Sequence, residues 1–147
     1  MTAEPRGMGG WLLLFVISMT VRPLLALVTA LSALVLTPRF PSATFMLIAV
    51  AFLHLALALY TAWMAYVFWR LKPNAVRLLR PYFTALLIFS IALVVLSSGP
   101  KVSGREEFLK ALPRAAFATV IYIAIWTTYF RKSKRVANTF GEHIAEA

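Results

Sequence analysis

The chain has 147 residues, of which 61% are hydrophobic and 14% charged, with a mean hydropathy of +0.81, whereas soluble domains run near roughly 45–50% apolar and about 25% charged. A water-soluble fold of this size has too little interior to hide so much apolar surface, so the sequence reads as one transmembrane domain over residues 1–147. Fifteen Lys and Arg against five acidic residues give a net charge of +10, but the basic residues fall at the ends of apolar runs, a pattern of membrane topology and not of nucleic-acid binding.

The first apolar run, Trp11 to Leu36, is long enough to cross a bilayer core, which needs roughly 20 helical residues. A basic residue before it (Arg6) and the small residues "ALSA" near its end resemble a signal peptide. The run is too long for that, and Arg22 and Pro23 interrupt it, so a permanent helix is expected. The second run, Phe45 to Trp69, also qualifies outright. The third, residues 82–98, is marginal. The fourth, Ala115 to Phe130, reaches spanning length only by extending upstream through "FLKALPR" to about residue 112, with Lys110 and Arg114 snorkelling towards headgroups. Ser103 and Glu106 have capping-box spacing, which predicts a short interfacial helix starting near Gly104 and bending at Pro113 into the fourth span. The expected fold is thus all-α: an integral-membrane four-helix bundle with spans at about 11–36, 45–69, 82–98 and 112–130, a short interfacial helix before the fourth span, and a basic tail over 131–147.

With four spans, one side of the membrane holds Arg6, Arg70, Lys72, Arg77, Arg80, Arg131, Lys132, Lys134 and Arg135, and the other Arg39, Lys101, Arg105, Lys110 and Arg114. The positive-inside rule then places both termini in the cytoplasm. The five acidic residues, Glu4, Glu106, Glu107, Glu142 and Glu146, all lie outside the four runs. Proton relays and cation pores commonly use intramembrane carboxylates, which these runs do not contain. No HExxH, GxSxG or phosphate-binding loop is present, no cysteine is available for thiolate metal sites, and no enzyme activity or cofactor is expected.

Two intramembrane residues stand out. His54 shares a helix face with Ala51, Ala58, Thr61, Ala62 and Ala65, small residues that let another helix approach closely. A packed histidine hydrogen-bonded across helices is the simple reading; a bis-histidine haem would need a dimer, because His143 lies in the polar tail. Arg22 lies roughly 16 Å along its helix at 1.5 Å per residue, where an arginine facing lipid costs at least roughly 3 kcal/mol. It shares a face with Ser18, Ala26, Thr29, Ala30 and Ala33, so its guanidinium should point into the bundle. There it either donates to Ser18, to water and to the Met19 carbonyl that Pro23 leaves free, pinning a kink, or meets an acidic residue of a partner or an anionic ligand.

The ends carry a family likeness. "GMGGWLLLFVIS" (Gly7 to Ser18) and "IWTTYFRKSKRVANTF" (Ile125 to Phe140) resemble the opening and closing signatures of the bacterial inner-membrane family known as domain of unknown function 2569, which implies a four-span fold and a location but no activity. Physically, the glycines suit a close turn before an interfacial Trp11. Trp126, Tyr129 and Phe130 suit an aromatic belt, and Arg131, Lys132, Lys134 and Arg135 suit a helix continuing into the cytoplasm beside anionic lipid headgroups or a partner. The leading functional expectation is a non-catalytic accessory or scaffolding subunit that binds another membrane protein or itself. The alternative is a carrier or binder of a small anionic or lipid-like solute, with Arg22 as the anion contact and Ser18, His54 and Thr61 as further polar contacts.

Overall fold

The computed structural model describes residues 9–72, 74–97 and 106–141, and among them it contains helices and turns but no strand. The helices are α1 (Trp11–Leu36), α2 (Thr44–Trp69), α3 (Leu79–Ser97), α4 (Glu106–Lys132) and the short α5 (Lys134–Phe140). Two 3₁₀ turns, Thr37–Arg39 and Pro41–Ala43, join α1 to α2. Pro38 and Pro41 sit at the starts of these turns, where a residue with no N–H and a fixed φ is at no disadvantage.

α1 and α2 form the closest pair, because small residues line their shared face. Ala26, Ala30 and Ala33 of α1 and Ala51, Ala58, Thr61 and Ala65 of α2 are all buried. Lipid tails are as apolar as leucine, so helix association in a membrane depends on close van der Waals contact, which small side chains permit. Ala62 departs from the expected face: it is exposed, because it lies one residue past Thr61 and turns towards the surface. Thr29 is also exposed, and its hydroxyl donates to the carbonyl of Leu25 in its own helix.

α2 ends in a Schellman motif. Leu71 N–H donates to Phe68 O and Lys72 N–H to Val67 O, which places Leu71 in the left-handed region at φ 47, a position glycine usually fills. α3 starts at Leu79, before the expected Tyr82, because Pro81 falls in its first turn, where no intrahelical donor is needed. Pro113 does not break α4, which runs without interruption from Glu106, so the short helix is continuous with the span and not separate from it. Membrane helices tolerate proline when neighbouring groups re-satisfy the backbone, as α1 also does at Pro23. Ser103 and Gly104 lie outside the described residues.

The C-terminal segment also departs from expectation. The helix does not continue through the basic residues; it stops at Lys132 and restarts as α5. The Ser133 hydroxyl caps α5 by accepting from Val136 N–H at 3.3 Å. Gly141, at φ 69, closes it with its N–H on Ala137 O. Val136 and Phe140 are buried in the main core, so α5 lies across the end of the bundle rather than projecting from it.

That core gathers Leu12, Phe15 and Met19 of α1, Met64 and Phe68 of α2, Tyr82 of α3, Trp126 and Phe130 of α4, and the α5 pair. A smaller cluster near the 3₁₀ turns holds Ala30, Ala33, Val50 and Ala51. The remaining faces expose large apolar side chains, Phe45 at 82% and Phe52 at 66% among them, far more than a soluble monomer tolerates. Among the described residues, α1, α2 and α3 are each long and apolar enough to cross a membrane. The protein is an all-α membrane protein.

Candidate functional site

Arg22 points into the bundle, where its guanidinium carbon lies 3.7 Å from the centre of the Tyr122 ring of α4. A cation over an aromatic face gains up to about 2 kcal/mol when desolvated, which offsets part of the cost of holding the charge at this depth. Ser18, one turn earlier, donates its single hydroxyl hydrogen to Phe15 O at 2.7 Å. Its oxygen also lies 3.1 Å from the Tyr122 hydroxyl. Ser18 has no second hydrogen to give, so Tyr122 is the donor in that bond. The Tyr122 ring is therefore fixed from its edge by Ser18 and from its face by Arg22.

Two further hydroxyls converge on the same place. The Tyr82 hydroxyl of α3 lies within polar range of Arg22 and of Thr61 on α2. Yet neither Tyr82 Oη nor Thr61 Oγ1 completes a hydrogen bond of ordinary geometry with a protein group. Thr61 is 1% exposed and Tyr82 fully enclosed. A buried hydroxyl left without a partner costs about 1–3 kcal/mol. The cluster thus combines one cation with two hydroxyls free to donate, and the described interior offers no carboxylate to neutralise it. Its chemistry suits an anion that accepts hydrogen bonds from several directions.

His54 stands apart from this cluster. Its Nδ1–H donates to Val50 O of its own helix at 2.8 Å, and its ring meets the edge of Phe89 in α3. The expected hydrogen bond across helices is replaced by one along the helix, because the facing residue on α3 is aromatic. Among the described residues no group of side chains could hold a metal.

The basic tail residues are divided by their placement. Arg131, Lys132 and Lys134 are exposed, while Arg135 is half-buried. The Arg135 guanidinium lies against Gly9, so closely that a side-chain carbon at position 9 would fall 2.5 Å from its Nη1. Gly9 and the closing basic segment therefore meet in space. Trp11 and Trp126 stand edge to face beside them, their ring centres 6.4 Å apart.

Tyr122 and Tyr82 were not among the residues singled out from sequence. A signal was present: Tyr122, Trp126 and Phe130 recur every four residues on one face of α4, and that face meets Arg22 and Phe15. Tyr82 had no comparable signal, because its role depends on how α3 packs on α2.

A family model described as "Protein of unknown function (DUF2569)" matches residues 5–141 of the chain. No curated protein and no solved structure matches it.

Proposed function

The chain belongs to the DUF2569 family of proteins of unknown function, and from that premise we propose that it is a non-catalytic membrane protein that binds a small anionic or lipid-like solute at Arg22. The observation that carries this reading is the pairing of Arg22 with two enclosed, unpartnered hydroxyls, Thr61 and Tyr82. A guanidinium that served only to pin a kink would need its own helix and Ser18; instead it reaches across to Tyr122 of α4. The inward position also favours a ligand over the acidic residue of a partner subunit, which would have to enter between helices.

In this reading α4 is the fourth span of a four-helix bundle in a bacterial inner membrane, with both termini cytoplasmic. The excess of Lys and Arg on the side of the α2–α3 loop supports that orientation. The chain has no cysteine, so single cysteines report cleanly. Cysteine at Ser42 should react with an impermeant thiol reagent from the periplasm, and cysteine at Asn74 should not; labelling of Asn74 from outside overturns the orientation.

Ligand binding is tested by thermal stabilisation of the protein in zwitterionic nanodiscs against a panel of carboxylates and phosphates. An anion should stabilise the wild type, Arg22→Gln should abolish the effect, and Arg22→Lys should retain part of it, because lysine lacks the bidentate fork. Stabilisation that survives Arg22→Gln overturns the reading. The accessory-subunit reading draws support from the large apolar side chains exposed on the outer faces, Phe45 and Phe52 among them, which a partner helix could cover. Mild-detergent purification followed by mass spectrometry tests it: a fixed partner at constant stoichiometry supports it, and its absence opposes it.

A further inference from the structure

A groove of about 320 Å³ runs between α2 and α3, lined by Leu53, Ala56 and Tyr60 on one side and Ala85, Phe89 and Ala92 on the other. Ligand pockets begin near roughly 300 Å³. Alanines at facing positions leave the furrow, and Tyr60 supplies the polar group at one end of its wall. From Leu53 to Tyr60 the groove extends roughly 10 Å at 1.5 Å per residue. His54 stiffens one wall, its ring 4.9 Å from that of Phe89. Ile88, 62% exposed, marks where the groove opens to the surrounding lipid.

At its Tyr60 end the groove is separated from the polar cluster by the packed rings of Tyr60 and Tyr82. Tyr60 is half-buried, and its ring lies 5.8 Å from that of Tyr82, whose hydroxyl is in polar range of Arg22 and Thr61. An apolar furrow open to lipid thus adjoins a monocationic site that lacks an internal counter-charge. Resting on the anion-binding reading of Arg22, we propose that the ligand is a carboxylate carried on a single alkyl chain, with its head at Arg22, Thr61 and Tyr82 and its chain along the α2–α3 groove.

Three features select this class. A guanidinium fork matches the two oxygens of a carboxylate, and the two hydroxyls supply donors for the remaining lone pairs. One positive charge is balanced by one negative charge. The depth of Arg22, roughly 16 Å along α1 at 1.5 Å per residue, favours a head of two oxygens over a glycerophosphate, whose extra polar groups would each need a partner in hydrocarbon. Tyr60 and Tyr82 stand between head and chain, so entry requires the half-buried Tyr60 ring to swing aside.

The test compares hexanoate with palmitate on the full chain in zwitterionic nanodiscs, by equilibrium binding of labelled acid. Palmitate should bind at least tenfold more tightly than hexanoate relative to their partitioning into empty nanodiscs. Ala56→Phe fills the groove from an exposed position and should remove that preference. Arg22→Gln should weaken both acids by tenfold or more. Equal affinity for the two acids, or a chain-length preference that survives Ala56→Phe, overturns the groove assignment and leaves the anion site standing. Binding of both acids that is indifferent to Arg22→Gln overturns the anion site itself.

Discussion

The two ends of the bundle are built on different principles. At the α5 end, Phe15 is surrounded by the rings of Phe68, Trp126 and Phe130 at centroid distances of 5.3, 4.8 and 4.9 Å, and Phe140 of α5 closes on Phe68 at 5.6 Å. At the 3₁₀-turn end the buried cluster is Ala30, Ala33, Val50 and Ala51. Large rings fill space between helices that stand apart, whereas the small residues of α1 and α2 let those two helices approach closely. The first end gathers side chains from all five helices, while the second pairs Ala30 and Ala33 of α1 with Val50 and Ala51 of α2 and is covered by Leu93 and Leu96 of α3. The main core lies at the α5 end, and the room that a ligand chain needs is found farther along, in the groove between α2 and α3.

Mutations should separate the ends by size of effect. Phe15→Ala should cost most, about 3–5 kcal/mol, because the cavity opens against three other rings that cannot all collapse into it; a fall of well under 1 kcal/mol in reversible unfolding would show that the aromatic end is not the main anchor. Phe140→Ala should cost about 2–4 kcal/mol and release α5, read as faster amide exchange over residues 134–140. Lys134→Ala should stay within about 0.5 kcal/mol, since that side chain is exposed. Ala51→Leu and Ala58→Leu should each cost about 1–3 kcal/mol by forcing α1 and α2 apart. Ala62→Leu should be nearly neutral, and equal penalties at Ala58 and Ala62 would contradict the described face. One substitution should be a gain: Leu71→Gly should stabilise by about 1 kcal/mol by relieving the left-handed backbone at the end of α2.

Much of this architecture is legible in the sequence because bilayer physics leaves few choices. A run of about 20 apolar residues has to be a helix, so α1 is read to the residue and α2 to within one at its start. The small faces follow from three- and four-residue spacing, with Ala62 misplaced because a face inferred from periodicity is wider than the true contact. Prolines do not mark the helix boundaries: Pro81 lies in the first turn of α3, and Pro113 lies within a continuous α4. The tail was the larger surprise. Its basic residues suggest a helix held at lipid headgroups, but Ser133, Val136, Phe140 and Gly141 encode a capped, amphipathic turn that packs inward. At the candidate site, Arg22 and Ser18 announce themselves as polar residues in an apolar run, whereas Tyr122 and Tyr82 read as ordinary aromatics until packing brings them to the charge.

The position of Arg22 against Tyr122 is the point on which the functional reading turns. A double-mutant cycle with Arg22→Gln and Tyr122→Leu, measured by reversible unfolding in lipid, isolates their coupling from the rest of the bundle. A half-buried contact at 3.7 Å should give a favourable coupling of about 1–2 kcal/mol. Additivity within about 0.3 kcal/mol would mean that the guanidinium sits in water or among headgroups, away from Tyr122, and that no buried cationic site exists at the centre of this protein.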